Sequence, residues 1–148
     1  MKTSKILIPG VAATTLMTLF SYVLSKAEHK NFKEPELLRG LMEDKMPGKG
    51  LALPAGWITH YTMGISWATV FEVLFREAHV KRNLKNGLVL GALSGLTGIV
   101  IWRLAFKIHP NPPRTDYKRF YIQLLLAHLV YALTVTATGS DEVNRNNL

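Results

Sequence analysis

The chain of 148 residues contains no cysteine. Disulfides, thiolate metal sites and a cysteine nucleophile are therefore excluded, and compartment cannot be read from thiols. Charge is missing from four long stretches: Ile6–Ser25, Gly50–Phe71, Asn86–Trp102 and Phe120–Ser140 hold no Lys, Arg, Asp or Glu. A soluble helical bundle would show charged residues at 3.6-residue spacing along such segments. These stretches instead carry Ser, Thr, Gly and His among Leu, Ile, Val and Phe. Motifs of chemistry are missing too. There is no HExxH, GxSxG or phosphate loop, and no close pair of carboxylates.

What is present fits a bilayer. A hydrocarbon core of about 30 Å takes about 20 helical residues. The runs predict four spans, at 6–25, 52–75, 86–106 and 120–138. Arg103 falls inside the third and can snorkel. The first span has basic residues before it and a small-residue ending, as a secretory signal would. It is longer than the usual apolar core of a signal and carries a polar stripe, so it reads as a mature helix. The fold class is therefore all-α, a polytopic four-helix transmembrane bundle forming a single membrane domain.

The net charge of +8 resides in the loops. That is ordinary beside anionic headgroups and does not point to nucleic acid. Eleven of the 18 Lys and Arg lie in the first and third loops, counting Arg103. The positive-inside rule then favours those loops as cytoplasmic. An even number of spans puts both termini on one side. The first loop contains Glu34-Pro35-Glu36-Leu37-Leu38-Arg39-Gly40-Leu41-Met42. Proline and acidic residues suit a first helical turn, and the leucines share one face. This predicts an amphipathic helix over 35–46, either lying on the membrane surface or packed over the bundle end. His109-Pro110-Asn111-Pro112-Pro113 reads as a rigid turn, and the tail from Asp141 as polar and frayed.

Membrane helices pack through small residues and interhelical hydrogen bonds. Residues four apart share a face. Such stripes are Gly10, Thr14 and Thr18 in the first span, and Gly56, His60, Gly64 and Ala68 in the second. The third has Gly87, Gly91 and Gly95 beside Ser94, and the fourth has His128, Ala132 and Thr136. The third stripe could also hold a second copy or a membrane partner. Thr14, His60, Ser94 and His128 all fall near mid-membrane, with Thr18 and Tyr61 close by in sequence pattern. An ionisable side chain at that depth is a functional candidate and rarely faces lipid. Its bland counterpart is a structural hydrogen-bond network. Trp57, Tyr61, Tyr117 and Tyr121 suit an aromatic belt.

Two histidines from two helices could ligate one haem iron. As a zinc site they are incomplete, and no carboxylate lies at their depth in sequence. Glu72, near a membrane edge, has Arg76, Lys5 and Lys85 as possible partners. His29, His79 and His109 read as loop residues.

The segment Gly56-Trp57-Ile58-Thr59-His60-Tyr61-Thr62-Met63-Gly64 resembles a family of small, uncharacterised bacterial inner-membrane proteins with a Gly-Trp, His-Tyr, Gly pattern in the second span. Gly10-Val11-Ala12-Ala13-Thr14-Thr15-Leu16-Met17 and Leu125-Leu126-Ala127-His128-Leu129-Val130-Tyr131 are similar to the first- and last-span patterns. Thr18 departs from it, standing where the family pattern has an acidic residue. The resemblance implies four spans, an inner-membrane location and a place for both histidines. It names no activity.

The functional reading of the sequence is a non-enzymatic integral membrane protein whose histidine-containing interior serves transport, small-ligand binding or complex assembly. Its alternatives are a cytochrome-like protein with His60 and His128 on one haem, and a membrane enzyme acting on a lipidic substrate.

Overall fold

The computed structural model describes residues 3–48 and 50–139, and the polar tail from Asp141 lies outside them. The described residues form α1 (Ser4–Glu28), α2 (Glu34–Met42), a short 3-10 turn (Glu43–Lys45), α3 (Ala52–Arg76), α4 (Leu84–Ile108) and α5 (Tyr117–Thr138). Each long helix extends past the boundary suggested by apolarity, because caps and turns set helix ends. The Asn83 side chain accepts from Asn86 N at the start of α4, and that of Asp116 accepts from Arg119 N at the start of α5. These are N-caps, which satisfy amides that have no partner within the helix. His29, with φ of 51°, ends α1 in the left-handed conformation.

Three of the helices, α1, α4 and α5, are long and apolar enough to cross a membrane. The helix α3 matches α1 and α4 at 25 residues. It is less apolar because it holds His60, two further ring-polar residues at Trp57 and Tyr61, and Glu72. The molecule buries polar side chains beside an apolar core and exposes many large apolar ones. Thr14, Thr18, Ser21, Ser25, Glu34, His60, Glu72, Ser94, Gln123 and His128 are buried, while Ile8, Leu19, Val23, Ile58, Leu93, Leu96, Val100 and Ile122 are exposed. A protein surrounded by water would invert that distribution.

Packing runs in a chain rather than a closed ring. The helix α4 lies on α5, α5 on α1, α1 on α3, and α3 on α2. Glycine makes two of these contacts possible. A Cβ at Gly91 would stand 2.9 Å from Leu129 Cα, and one at Gly56 would stand 3.0 Å from Arg39 N of α2. Gly87 and Gly95 also face α5, toward Thr136 and toward Leu125 and His128. The glycine stripe of α4 thus packs against α5 of the same chain. Gly64 lies where α1, α3 and α5 meet: a side chain there would collide with Thr14, and its carbonyl accepts from Tyr131 Oη at 2.5 Å.

The segment predicted at 35–46 is a helix only over Glu34–Met42, followed by the 3-10 turn. It does not lie apart on a surface. It packs along α3, with Glu34, Pro35 and Leu37 buried. Phe32, also buried, turns the chain back along α1 by donating its amide to Ser25 Oγ. Glu72 pairs with Arg82, a partner outside the three expected, and Arg82 stacks on the Phe75 ring at 4.2 Å.

The α4–α5 contact sets one expectation. Gly91→Leu must push α5 backbone aside and should cost about 1–3 kcal/mol or more, whereas Val89→Leu, on the exposed face, should cost almost nothing. Melting of the two variants in the same detergent measures the difference. Equal midpoints would contradict the packing.

Candidate functional site

Because α3 and α4 are not packed on each other, the bundle keeps a cavity between them of about 120 Å³. Its floor comes from Thr14 and Met17 of α1 and from Leu124, His128 and Tyr131 of α5. Its walls are His60, Met63, Gly64 and Trp67 of α3 and Gly98, Ile101, Trp102 and Ala105 of α4. The helix α2 closes one end with Glu34, Leu38 and Leu41. Met63 and Ile101, on facing helices, are 43% and 45% exposed and form the lips of a sideways opening.

The two histidines share this cavity. Thr18 Oγ1 donates to Thr14 O at 2.6 Å, so its one hydrogen is committed. It must then accept from His60 Nε2, 2.8 Å away. That fixes the His60 tautomer and leaves Nδ1 as a lone-pair acceptor. His128 Nδ1 lies 2.8 Å from Leu124 O and donates to it, because a carbonyl can only accept. Its Nε2 is left as an acceptor beside Gly98, where a Cβ would approach to 3.1 Å. Gly98 makes room for the ring.

Glu34 is the residue that sequence reasoning missed. It is 1% exposed and lines the same cavity. Its Oε1 accepts from Ser21 Oγ at 2.7 Å and from Gln123 Nε2 at 3.3 Å, and Gln123 Nε2 also donates to Ser21 Oγ at 2.5 Å. Its Oε2 is buried with no hydrogen-bond partner among the described residues. Burial pushes the carboxyl up to about 7, against the opposing effect of the Ser21 and Gln123 hydrogen bonds. Glu34 belongs to a loop in sequence, but the fold returns that loop to one end of the cavity that the histidines line.

The other expected members are divided. Thr14 lines the cavity, with its hydroxyl donated to Gly10 O. Thr18 reaches it through His60. Ser94 is buried but bonds Gly91 O on its own helix and is not among the lining residues. Tyr61 turns to Thr15, 2.9 Å away, and stacks with Trp57. His79 and His109 bond nearby backbone in their own turns.

A haem does not fit. His60 Nε2 is engaged by Thr18, and the cavity is far smaller than a porphyrin. Among the described residues no three His, Asp or Glu side chains gather as for a metal ion. No family model, curated protein or solved structure matches the chain.

Glu34 should leave a signature in stability. Its carboxyl is raised from 4.5 to about 7 in the folded state. The folded state therefore holds the proton where the unfolded state has lost it, and stability falls as pH rises across that window. The full effect is roughly 3 kcal/mol. Melting curves of wild type and Glu34→Gln, taken in detergent from pH 4.5 through pH 7, should converge or separate with pH accordingly. The wild type should lose stability relative to the variant. A constant difference would show that Glu34 titrates as an exposed carboxyl.

Proposed function

We propose that this chain is a four-span integral membrane protein that binds a small, largely apolar molecule entering its cavity from the lipid. The observation that carries this is the sideways opening between α3 and α4, edged by exposed Met63 and Ile101 and leading to inward-facing His60, His128 and Glu34. An engineered protein cavity of about 150 Å³ holds benzene, so this volume suits one ring. The walls are apolar and aromatic with a few convergent polar groups, the usual make-up of a small-molecule site.

The fourth span in this reading is α3. Its His60 and Glu72 are buried, whereas Leu53, Ile58, Met63, Val70 and Val73 are exposed. The face it offers outward is therefore as apolar as those of its neighbours. Both termini then share one side, with the first and third loops cytoplasmic by their Lys and Arg content. The resemblance at Gly56–Gly64 supports a bacterial inner membrane.

Cysteine introduced singly at Asn31, Asn83 and Asn111 tests the spans, since the chain has no cysteine of its own. Impermeant maleimide should label positions 31 and 111 from one side and 83 from the other. Labelling of 31 and 111 from opposite sides would refute four spans.

Benzyl alcohol tests the site. In nanodiscs it should change the emission of Trp67 and Trp102 saturably, because both rings line the cavity. Ala105→Phe should fill the space and remove the change while the melting midpoint stays high. An unsaturable response, or one retained by the filled variant, would overturn the binding reading.

A further inference from the structure

A groove of about 730 Å³ lies on the outside of the bundle, between the last turns of α1 and the segment that leads into α2. Hydrogen bonds fix its shape. Lys30 N donates to Ser25 O at 3.2 Å, Phe32 N to Ser25 Oγ at 3.0 Å, and Thr115 Oγ1 to Asn31 O at 2.6 Å. The returning segment is thus tied to α1 on one side and to the connection before α5 on the other.

The charge of the groove is one-sided. Lys26, His29, Lys30 and Lys33 line it against one carboxylate, Glu36. Lys33 pairs with Glu36 at 3.2 Å and lies over the Tyr22 ring at 5.1 Å. Lys30 stands 3.9 Å from Asp116, a long ion pair with both side chains partly exposed. Lys26 has no carboxylate partner among the described residues. Glu28, between Lys26 and Lys30 in sequence, pairs with Arg119 and borders a different groove.

The groove is also continuous with the apolar exterior. Leu19 and Val23 line it, stand one turn apart on α1, and are 56% and 67% exposed. Tyr22 lines it too and packs on Trp57, with ring centroids 6.2 Å apart. Tyr and Trp concentrate at the level of lipid headgroups. Along α1 the order is therefore apolar track, aromatic pair, lysines. An anionic lipid has the matching order of acyl chain, glycerol and phosphate.

We propose that this groove binds one anionic phospholipid, whose phosphate meets Lys26 and Lys30 and whose acyl chain lies along Leu19 and Val23. The inference rests on the membrane reading above and is independent of the inner cavity. A tail-less phosphate would use only the lysines, so the apolar track commits the site to a lipid. A zwitterionic headgroup carries its own cation beside its phosphate and gains less from the lysines. Each lysine close to an anionic headgroup is worth roughly fivefold in affinity.

Native mass spectrometry tests this on the full chain. The chain is released from micelles holding phosphatidylglycerol and phosphatidylcholine with the same tails, and the retained lipids are counted. One phosphatidylglycerol should be retained in preference. Lys26→Gln and Lys30→Gln should each weaken it roughly fivefold. Glu36→Gln should strengthen it by a similar factor, because it removes the opposing charge and releases Lys33. Lys45→Gln, in the same loop but outside the groove, should change nothing. Lys26, Lys30 and Lys45 are exposed and Glu36 is half-buried, so these variants should fold. Equal retention of the two lipids, or equal weakening by Lys26→Gln and Lys45→Gln, would overturn the site and leave only diffuse attraction. An unchanged affinity in Glu36→Gln would contradict it as well. So would displacement of the lipid by an equal concentration of glycerol phosphate, since the tails would then contribute nothing. The membrane reading is judged separately, by the labelling at position 31.

Discussion

A buried carboxyl is the most demanding group in this structure, and the position of Glu34 dictates much around it. Taking a carboxyl out of water is costly unless it is neutralised or hydrogen-bonded. Here Ser21 of α1 and Gln123 of α5 both reach one oxygen of Glu34. That three-way contact ties the returning loop to two separate helices. It needs α1 to turn sharply at His29 and Phe32 to dock on Ser25. It also needs α2 to approach α3 so closely that only glycine fits at position 56. Without the carboxyl, Ser21 would keep Met17 O as its acceptor and Gln123 would keep Ser21 Oγ, so the tie to α2 would be lost while α1 and α5 stay joined.

The cavity follows from the same arrangement. With α2 lodged beside α3, the helices pack in the order α4, α5, α1, α3, α2. The consecutive helices α3 and α4 are joined by a short connection but do not close on each other. The gap is bordered by apolar side chains outside and by imidazole, hydroxyl and carboxyl groups inside. Each histidine is held by one hydrogen bond whose direction is set by its partner, Thr18 for His60 and a backbone carbonyl for His128. The free nitrogens are thus held as acceptors by the fold itself. Preorganisation of this kind lowers the cost of binding.

Much of the helical framework was legible in the sequence, because charge-free runs bounded by Lys, Arg and Asp mark apolar helices directly. The inward faces were legible as well: glycine and hydroxyl residues four apart in α1, α3 and α4 do meet neighbouring helices. Thr14, His60 and His128 do line one space. Ser94 and Tyr61 do not, because depth along a helix says nothing of the angle around the bundle. The role of α2 was beyond reach. Its amphipathic pattern suits a surface helix and a buried one equally, and Glu34 looked like an ordinary first-turn acid. Its signal was a pair of isolated polar residues, Ser21 and Gln123, that the apolar runs would otherwise leave unsatisfied. The Glu72–Arg82 pair was hidden for a similar reason. It is formed across a turn whose geometry the sequence does not specify.

The account rests on a carboxyl enclosed within the helices, and infrared titration observes that group directly. In nanodiscs, the difference spectrum between wild type and Glu34→Gln should contain a protonated carboxylic acid band that disappears with a midpoint at about pH 7. Its narrow width and slow hydrogen–deuterium exchange would report seclusion from water. A band that vanishes near pH 4.5, with rapid exchange, would place Glu34 in solvent and contradict the enclosed site.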